Sequence, residues 1–167
     1  MGLTTKLKAA IEYRLTASPD LGNAEAKYAG AAAVDLASGT GDNQADRVFS
    51  DTRTLAASAT EDLDLAGTLT NPLGAAVVFA KIKAILIKAA AGNTNNVVVG
   101  GAAATQFVGP FGAVTHTISV PPGGQFMISA PKAGWAVGAG TADLLKLANS
   151  GAGTGVSFDI VVIGTSA

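Results

Sequence analysis

Apolar and polar residues alternate along the first segment of the chain with a period of two. Between Thr5 and Thr16, Leu7, Ala9, Ile11, Tyr13 and Leu15 share one parity, and Lys6, Lys8, Glu12, Arg14 and Thr16 share the other. Side chains alternate faces along a strand, so this pattern predicts a half-buried strand with one wet face. Ala and Lys also tolerate a helix, which stands as the alternative. Ser18-Pro19-Asp20 predicts a turn. The Ala-rich segment Ala24–Leu36 then reads as a strand pairing back on the first, and Ser38–Asn43 as a loop.

Further along, Asp46–Ser50 and Thr52–Leu65 read as strands, with Val48 and Phe49 as core anchors. The most apolar stretch, Ala76–Ala90, is rich in Ile and Val and predicts one long buried strand. Gly92-Asn93-Thr94-Asn95-Asn96 turns the chain into a short strand, Val97–Val99. The Gly/Ala segment Gly100–Ala104 leads into a loop around Phe107, Pro110 and Phe111. Thr115–Val120, Phe126–Ser129, Trp135–Val137, Asp143–Leu147 and Val156–Ile163 complete the set, with Pro121-Pro122-Gly123-Gly124 as a tight turn. In the last strand Val156, Phe158, Ile160 and Val162 share one face, while Ser157 and Asp159 lie opposite.

About eight to ten short strands without strand–helix alternation predict an all-β fold: a single antiparallel β-sandwich or jelly-roll-like domain. Residues 1–45 are more polar and Ala-rich, which predicts an N-terminal β arm or hairpin that reaches between subunits. Residues 46–167 are then the β-sandwich core domain.

Composition narrows the chemistry. A chain of 167 residues suffices for one domain that buries roughly 70% of its unfolded surface, so its core needs no covalent staples. It has no Cys, which removes disulfides, thiolate metal sites and Cys nucleophiles together. With 11 basic against 12 acidic residues there is no basic field for a phosphate backbone, and 5% aromatic residues make no base-stacking platform. No nucleic-acid partner is expected. The start lacks the apolar core of a signal peptide, and the run Ala75–Ala91 is interrupted by Lys81, Lys83 and Lys88. That run reads as a strand and not as a membrane span, so no membrane partner is expected.

Candidate chemistry is sparse. His116, the single His, falls on a predicted strand with no second His, no Cys and no carboxylate near in sequence, so it reads as a surface or hydrogen-bonded strand residue. Glu61, Asp62 and Asp64 form the densest acidic cluster, and Asp42 with Asp46 the next. Neither has the loop spacing of a calcium site, and on a strand Asp62 and Asp64 face solvent while Leu63 and Leu65 face the core. Gly39-Thr40-Gly41, Gly138-Ala139-Gly140 and Gly151-Ala152-Gly153-Thr154-Gly155 lack the following helix of a phosphate loop and read as hairpin turns. Lys81 and Lys83 share a parity: they form either a basic strip for an acidic neighbour or edge-protecting lysines. Trp135, the one Trp, reads as core, with an interface anchor as the alternative. The inventory therefore supplies no catalytic, cofactor-binding or metal-binding residue and no cofactor. The interface candidates are Leu7, Ile11, Tyr13, Lys81, Lys83 and Trp135.

From about Asp46 to Ala167 the chain resembles a family of small virion structural proteins of tailed bacteriophages. The stretches that carry the resemblance are Ser50–Leu65, Lys83-Ala84-Ile85, Ala90–Val97, Pro122-Gly123-Gly124, Leu144–Thr154, Asp159-Ile160 and Ile163-Gly164. Asp51-Thr52-Arg53-Thr54-Leu55 and Ala148-Asn149-Ser150-Gly151-Ala152-Gly153-Thr154 are the most distinctive. The resemblance implies a non-enzymatic virion component, assembled in the host cytoplasm, and brings no catalytic residue with it. The N-terminal segment varies more within the family, as an arm adapted to a partner would. The leading expectation is a head decoration (cement) protein. It would be a homo-oligomer, a trimer or hexamer, bound to the major capsid protein or other virion proteins. A tail, neck or collar subunit, ring-forming or tube-like, is the alternative, and a carbohydrate-binding adhesin module ranks third.

Overall fold

The computed structural model of the chain describes residues 2–67, 69–102 and 104–167. Alternation and β-branched runs set its class: the described residues form strands and no helix, an all-β fold. In chain order the strands are β1 (Thr5–Ala17), β2 (Ala24–Ser38), β3 (Gln44–Ala45), β4 (Arg47–Leu55), β5 (Thr60–Asp64), β6 (Leu69–Thr70) and β7 (Ala76–Val77). Then come β8 (Lys81–Ala89), β9 (Val97–Gly100), β10 (Thr117–Val120), β11 (Gln125–Ser129), β12 (Trp135–Ala136), β13 (Leu144–Asn149) and β14 (Val156–Thr165).

Two sheets, ordered β11-β8-β14-β4 and β10-β9-β13-β5, enclose the main core, with β12 continuing beside β8. Their inward side chains meet in one cluster, including Phe49, Ile85, Ile87, Phe158 and Ile160 from the first and Leu63, Val97, Val99, Leu145 and Leu147 from the second. As the parity of the last strand predicts, Val156, Phe158, Ile160 and Val162 are all buried. Phe107 and Phe111, from the loop before β10, join the same cluster.

The pairings are nested: β4 with β14, β5 with β13, β8 with β11 and β9 with β10. The body is thus one long antiparallel ribbon with its bend between β9 and β10, wound so that its strands fall into two sheets.

Several boundaries differ from the sequence expectation. The predicted break between Ser50 and Thr52 lies instead at residues 56–59, where Ser58 takes a positive φ of 58°. The expected strand Ala76–Ala90 is broken at residues 78–80, where Phe79 turns into the core and Val78 stays exposed. His116 precedes β10, and its Nδ1 lies 2.7 Å from the Phe111 carbonyl, which accepts its proton. Ala103, within the predicted Gly/Ala segment, lies outside the described residues.

A bulge in β8 corrects the reading of the lysines. Ile163 pairs with Ala84 but Gly164 with Ile82, so Lys83 is the extra residue. The bulge switches parity, which lets Ile82 on one side and Ile85 and Ile87 on the other all face the core. Because β8 lies between β11 and β14, its lysines protect no edge. Lys83 is buried, and its Nζ donates to the carbonyls of Gly41 at 3.1 Å and Lys132 at 2.5 Å. Burial holds its pKa below the ordinary 10.5, against the opposing pull of Asp42.

Candidate assembly interface

β1 and β2 pair along their whole length, from Thr5 opposite Leu36 to Ala17 opposite Ala24. At about 3.3 Å per residue this ribbon is roughly 40 Å long. Cross-strand partners share a face, so the register sorts the side chains completely. One face carries Leu7, Ile11, Tyr13 and Leu15 with Val34, Gly30, Tyr28 and Ala26 opposite them. The other carries the charges, including the ion pairs Lys6–Asp35 at 3.3 Å, Arg14–Glu25 at 2.5 Å and Lys27–Glu25 at 2.8 Å.

Only the base of this ribbon is covered. Leu7 and Leu36 pack with Ala45 of β3 against Ala84 and Ile163 on the outer face of the β11-β8-β14-β4 sheet. Full burial of each Leu contributes about 1.5–3 kcal/mol, enough to fix the base on the body. Leu7 is therefore satisfied inside the chain and is not free for a partner, which corrects that candidate. Beyond it the expected half-buried strand is exposed on both faces: Ile11 is 72%, Tyr13 56%, Leu15 67% and Tyr28 54% accessible. The alternation predicts the face correctly, but nothing among the described residues covers it.

Tyr13 and Tyr28 are directly opposite and stacked, with ring centroids 5.7 Å apart. Gly30 leaves room for this: a Cβ there would occupy the space of the Tyr28 ring. Between the apolar face and the sheet lies a groove of about 960 Å³, with Ile11, Tyr13 and Tyr28 on the hairpin side and Leu86, Gln125 and Met127 on the sheet side. An apolar crevice of about 260 Å³ continues it toward Leu7, Val161 and Ile163.

The remaining candidates sit elsewhere. Trp135 is half-buried, packs against the main core and pairs with Ile82, beside Lys81. Lys83 is consumed by its two carbonyls and, like Leu7, is not available as an interface residue. Tyr28, Leu15, Leu86 and Met127 escaped sequence reasoning. The signal for Tyr28 was present, because the turn after Ala17 places it across from Tyr13.

The acidic cluster lines a polar cleft of about 400 Å³ between β4 and β5. Two of its members are engaged: Arg53 contacts Glu61 at 2.7 Å as well as Asp51 at 2.8 Å, and Asp64 accepts the Ala66 amide at 3.0 Å, while Asp62 is exposed. Among the described residues no three His, Asp or Glu side chains converge as metal ligands. The chain matches no family model, no curated protein and no solved structure in these comparisons.

Proposed function

We propose that the chain is a non-enzymatic structural protein of a tailed-bacteriophage virion, most specifically a head decoration protein that stabilises the capsid through multimeric contacts. The observation that carries this reading is the projecting amphipathic hairpin. Its apolar face has no role in the chain's own core, while its base is rigidly docked, which is what an assembly element requires.

Two further features support it. The nested pairing of eight body strands, first with last, is the winding of a jelly roll, an architecture used by viral capsid and lectin domains. Fold alone assigns no function, so the weight stays on the hairpin and on the resembling stretches. Two of those stretches, Ala90–Val97 and Leu144–Thr154, meet at one end of the body. Asn149 donates to the carbonyls of Ala56 at 2.9 Å and Thr154 at 2.8 Å, and Asn93 exchanges two 2.9 Å hydrogen bonds with the Ser157 backbone. Asn95 donates to the Thr154 carbonyl at 3.1 Å. Asn149 of the distinctive Ala148–Thr154 motif thus fastens two loops to each other, which suits a stiff shell component.

Immunogold electron microscopy of the parent particle, with an antibody to this chain, tests the proposal. Label distributed over the head is the expected result. Label confined to the neck or tail would replace decoration with a ring or collar role, and absence of label from particles would overturn the virion reading.

A further inference from the structure

We infer that Lys83 is a positioning residue for the hairpin: its buried ammonium pins residues 39–43, the connection through which β2 enters the body, and so fixes the angle at which the ribbon stands off the sheet. The inference rests on the reading of the hairpin as an assembly element, since an arm that seats on a regular particle must present its tip in one direction.

The hairpin has little else to aim it. β1, β2 and β3 form a sheet of their own, and among the described residues no hydrogen bond or ion pair joins β1 or β2 to the β11-β8-β14-β4 sheet. The contact at the base is apolar, with Leu7, Leu36 and Ala45 against Ala84 and Ile163. Apolar attraction is non-directional, so it holds the base in place and leaves the ribbon free to swivel about it. Hydrogen bonds constrain angles as well as distances. Two of them hold residues 39–43 on the body: Lys83 Nζ donates to the Gly41 carbonyl at 3.1 Å, and the Asn43 amide donates to the Pro131 carbonyl at 3.0 Å.

The surroundings are shaped to this lysine. On one side Ile163 and Gly164 pair with Ala84 and Ile82, and on the other Ser129 and Trp135 do the same, so Lys83 is skipped by both neighbours. Residues 130–134 step around it, and the Ala130 amide donates to the Lys83 carbonyl at 2.9 Å. The Lys83 stem passes Gly134, where a Cβ would lie 3.2 Å from Lys83 Cδ. Its Nζ then bridges the two loops, because it donates to Lys132 as well as to Gly41. The Gly41 amide donates to Gln44 Oε1 at 2.9 Å, which steadies the loop that the ammonium holds. Asp42 adds an attractive charge beside it. A methionine fills a similar volume without desolvating a charge, so what the ammonium contributes is direction and not packing.

The absence of Cys makes the test direct. Nitroxide labels are placed on full-length chains carrying Glu12→Cys in the hairpin and Ala91→Cys at an exposed turn of the body, with and without Lys83→Met. Double electron–electron resonance is expected to give one narrow distance distribution with Lys83 present. With Lys83→Met the distribution is expected to become roughly twice as wide, while the melting temperature stays equal or rises. Amide exchange in residues 39–43 should accelerate about tenfold or more, with β13 and β14 unchanged. Equal widths for the two chains would overturn the inference, because the apolar base alone would then aim the ribbon. A Lys83→Met chain that melts far lower or fails to fold would also overturn it, since Lys83 would then be a prop of the body. Both failures leave the virion reading intact, because that reading is decided by the labelling of particles.

Discussion

Asn149 shows how one side chain serves the fold. It is 6% accessible, donates to two carbonyls from different loops and accepts the Gly151 amide at 3.2 Å. Asn149→Ala leaves those backbone groups without their partner and is expected to cost about 1–3 kcal/mol. The measurement is the denaturant midpoint, which should fall at unchanged slope. Lys83 makes a prediction of the opposite kind. Its folded pKa is lowered from 10.5 by burial, so between that lowered value and 10.5 the unfolded chain binds more protons than the folded one. Its contribution to stability is therefore greatest above 10.5 and declines as pH falls through the folded value. The stability of the wild type relative to Lys83→Met should rise as pH is raised toward 10.5, and a flat difference would contradict the assignment. Residue by residue, parity in the sequence identified Leu63, Leu65 and the inward face of β14; of the two expected anchors Phe49 lies in the main core and Val48 packs, partly buried, on the outer cluster with Leu7. Parity failed at Lys83, because a bulge is a property of two paired strands and leaves no mark on one.

Among the elements, the hairpin was the most legible, since period-two alternation and a turn signal specify both strands and their pairing. What one strand does not reveal is burial. The same alternation describes a ribbon over a core and a ribbon in water, and only the position of the body decides between them. The breaks at residues 56–59 and 78–80 were hidden for a different reason: they consist of Ala, Ser, Val and Phe, with no Gly or Pro to mark them. Because Leu7 and Leu36 anchor the base, the tip is separable from the body. Joining Ala9 to Ala32 through a two-residue Asn-Gly turn removes the bulky rungs and keeps the anchored base. That shortened chain should melt cooperatively within a few degrees of the full chain, about what a change below 1 kcal/mol produces. A collapse in melting temperature would show that the tip stabilises the body.

On the scale of the whole molecule, the nested ribbon yields a stiff body with a hairpin standing off one outer face. The sequence foretold the all-β class from strand spacing and the lack of helical periodicity. The division of strands between sheets depends on contacts distant in sequence and emerges only from the structure. The groove is a product of that division, because Leu86 and Met127 come from adjacent strands of one sheet and the hairpin arrives from far upstream. We propose this hairpin as the means of assembly. Sedimentation equilibrium on the full chain and on the tip-shortened chain, at the same concentration, tests it most directly. The claim predicts a mass of two or more subunits for the full chain and of one for the shortened chain; equal masses for the two would contradict it.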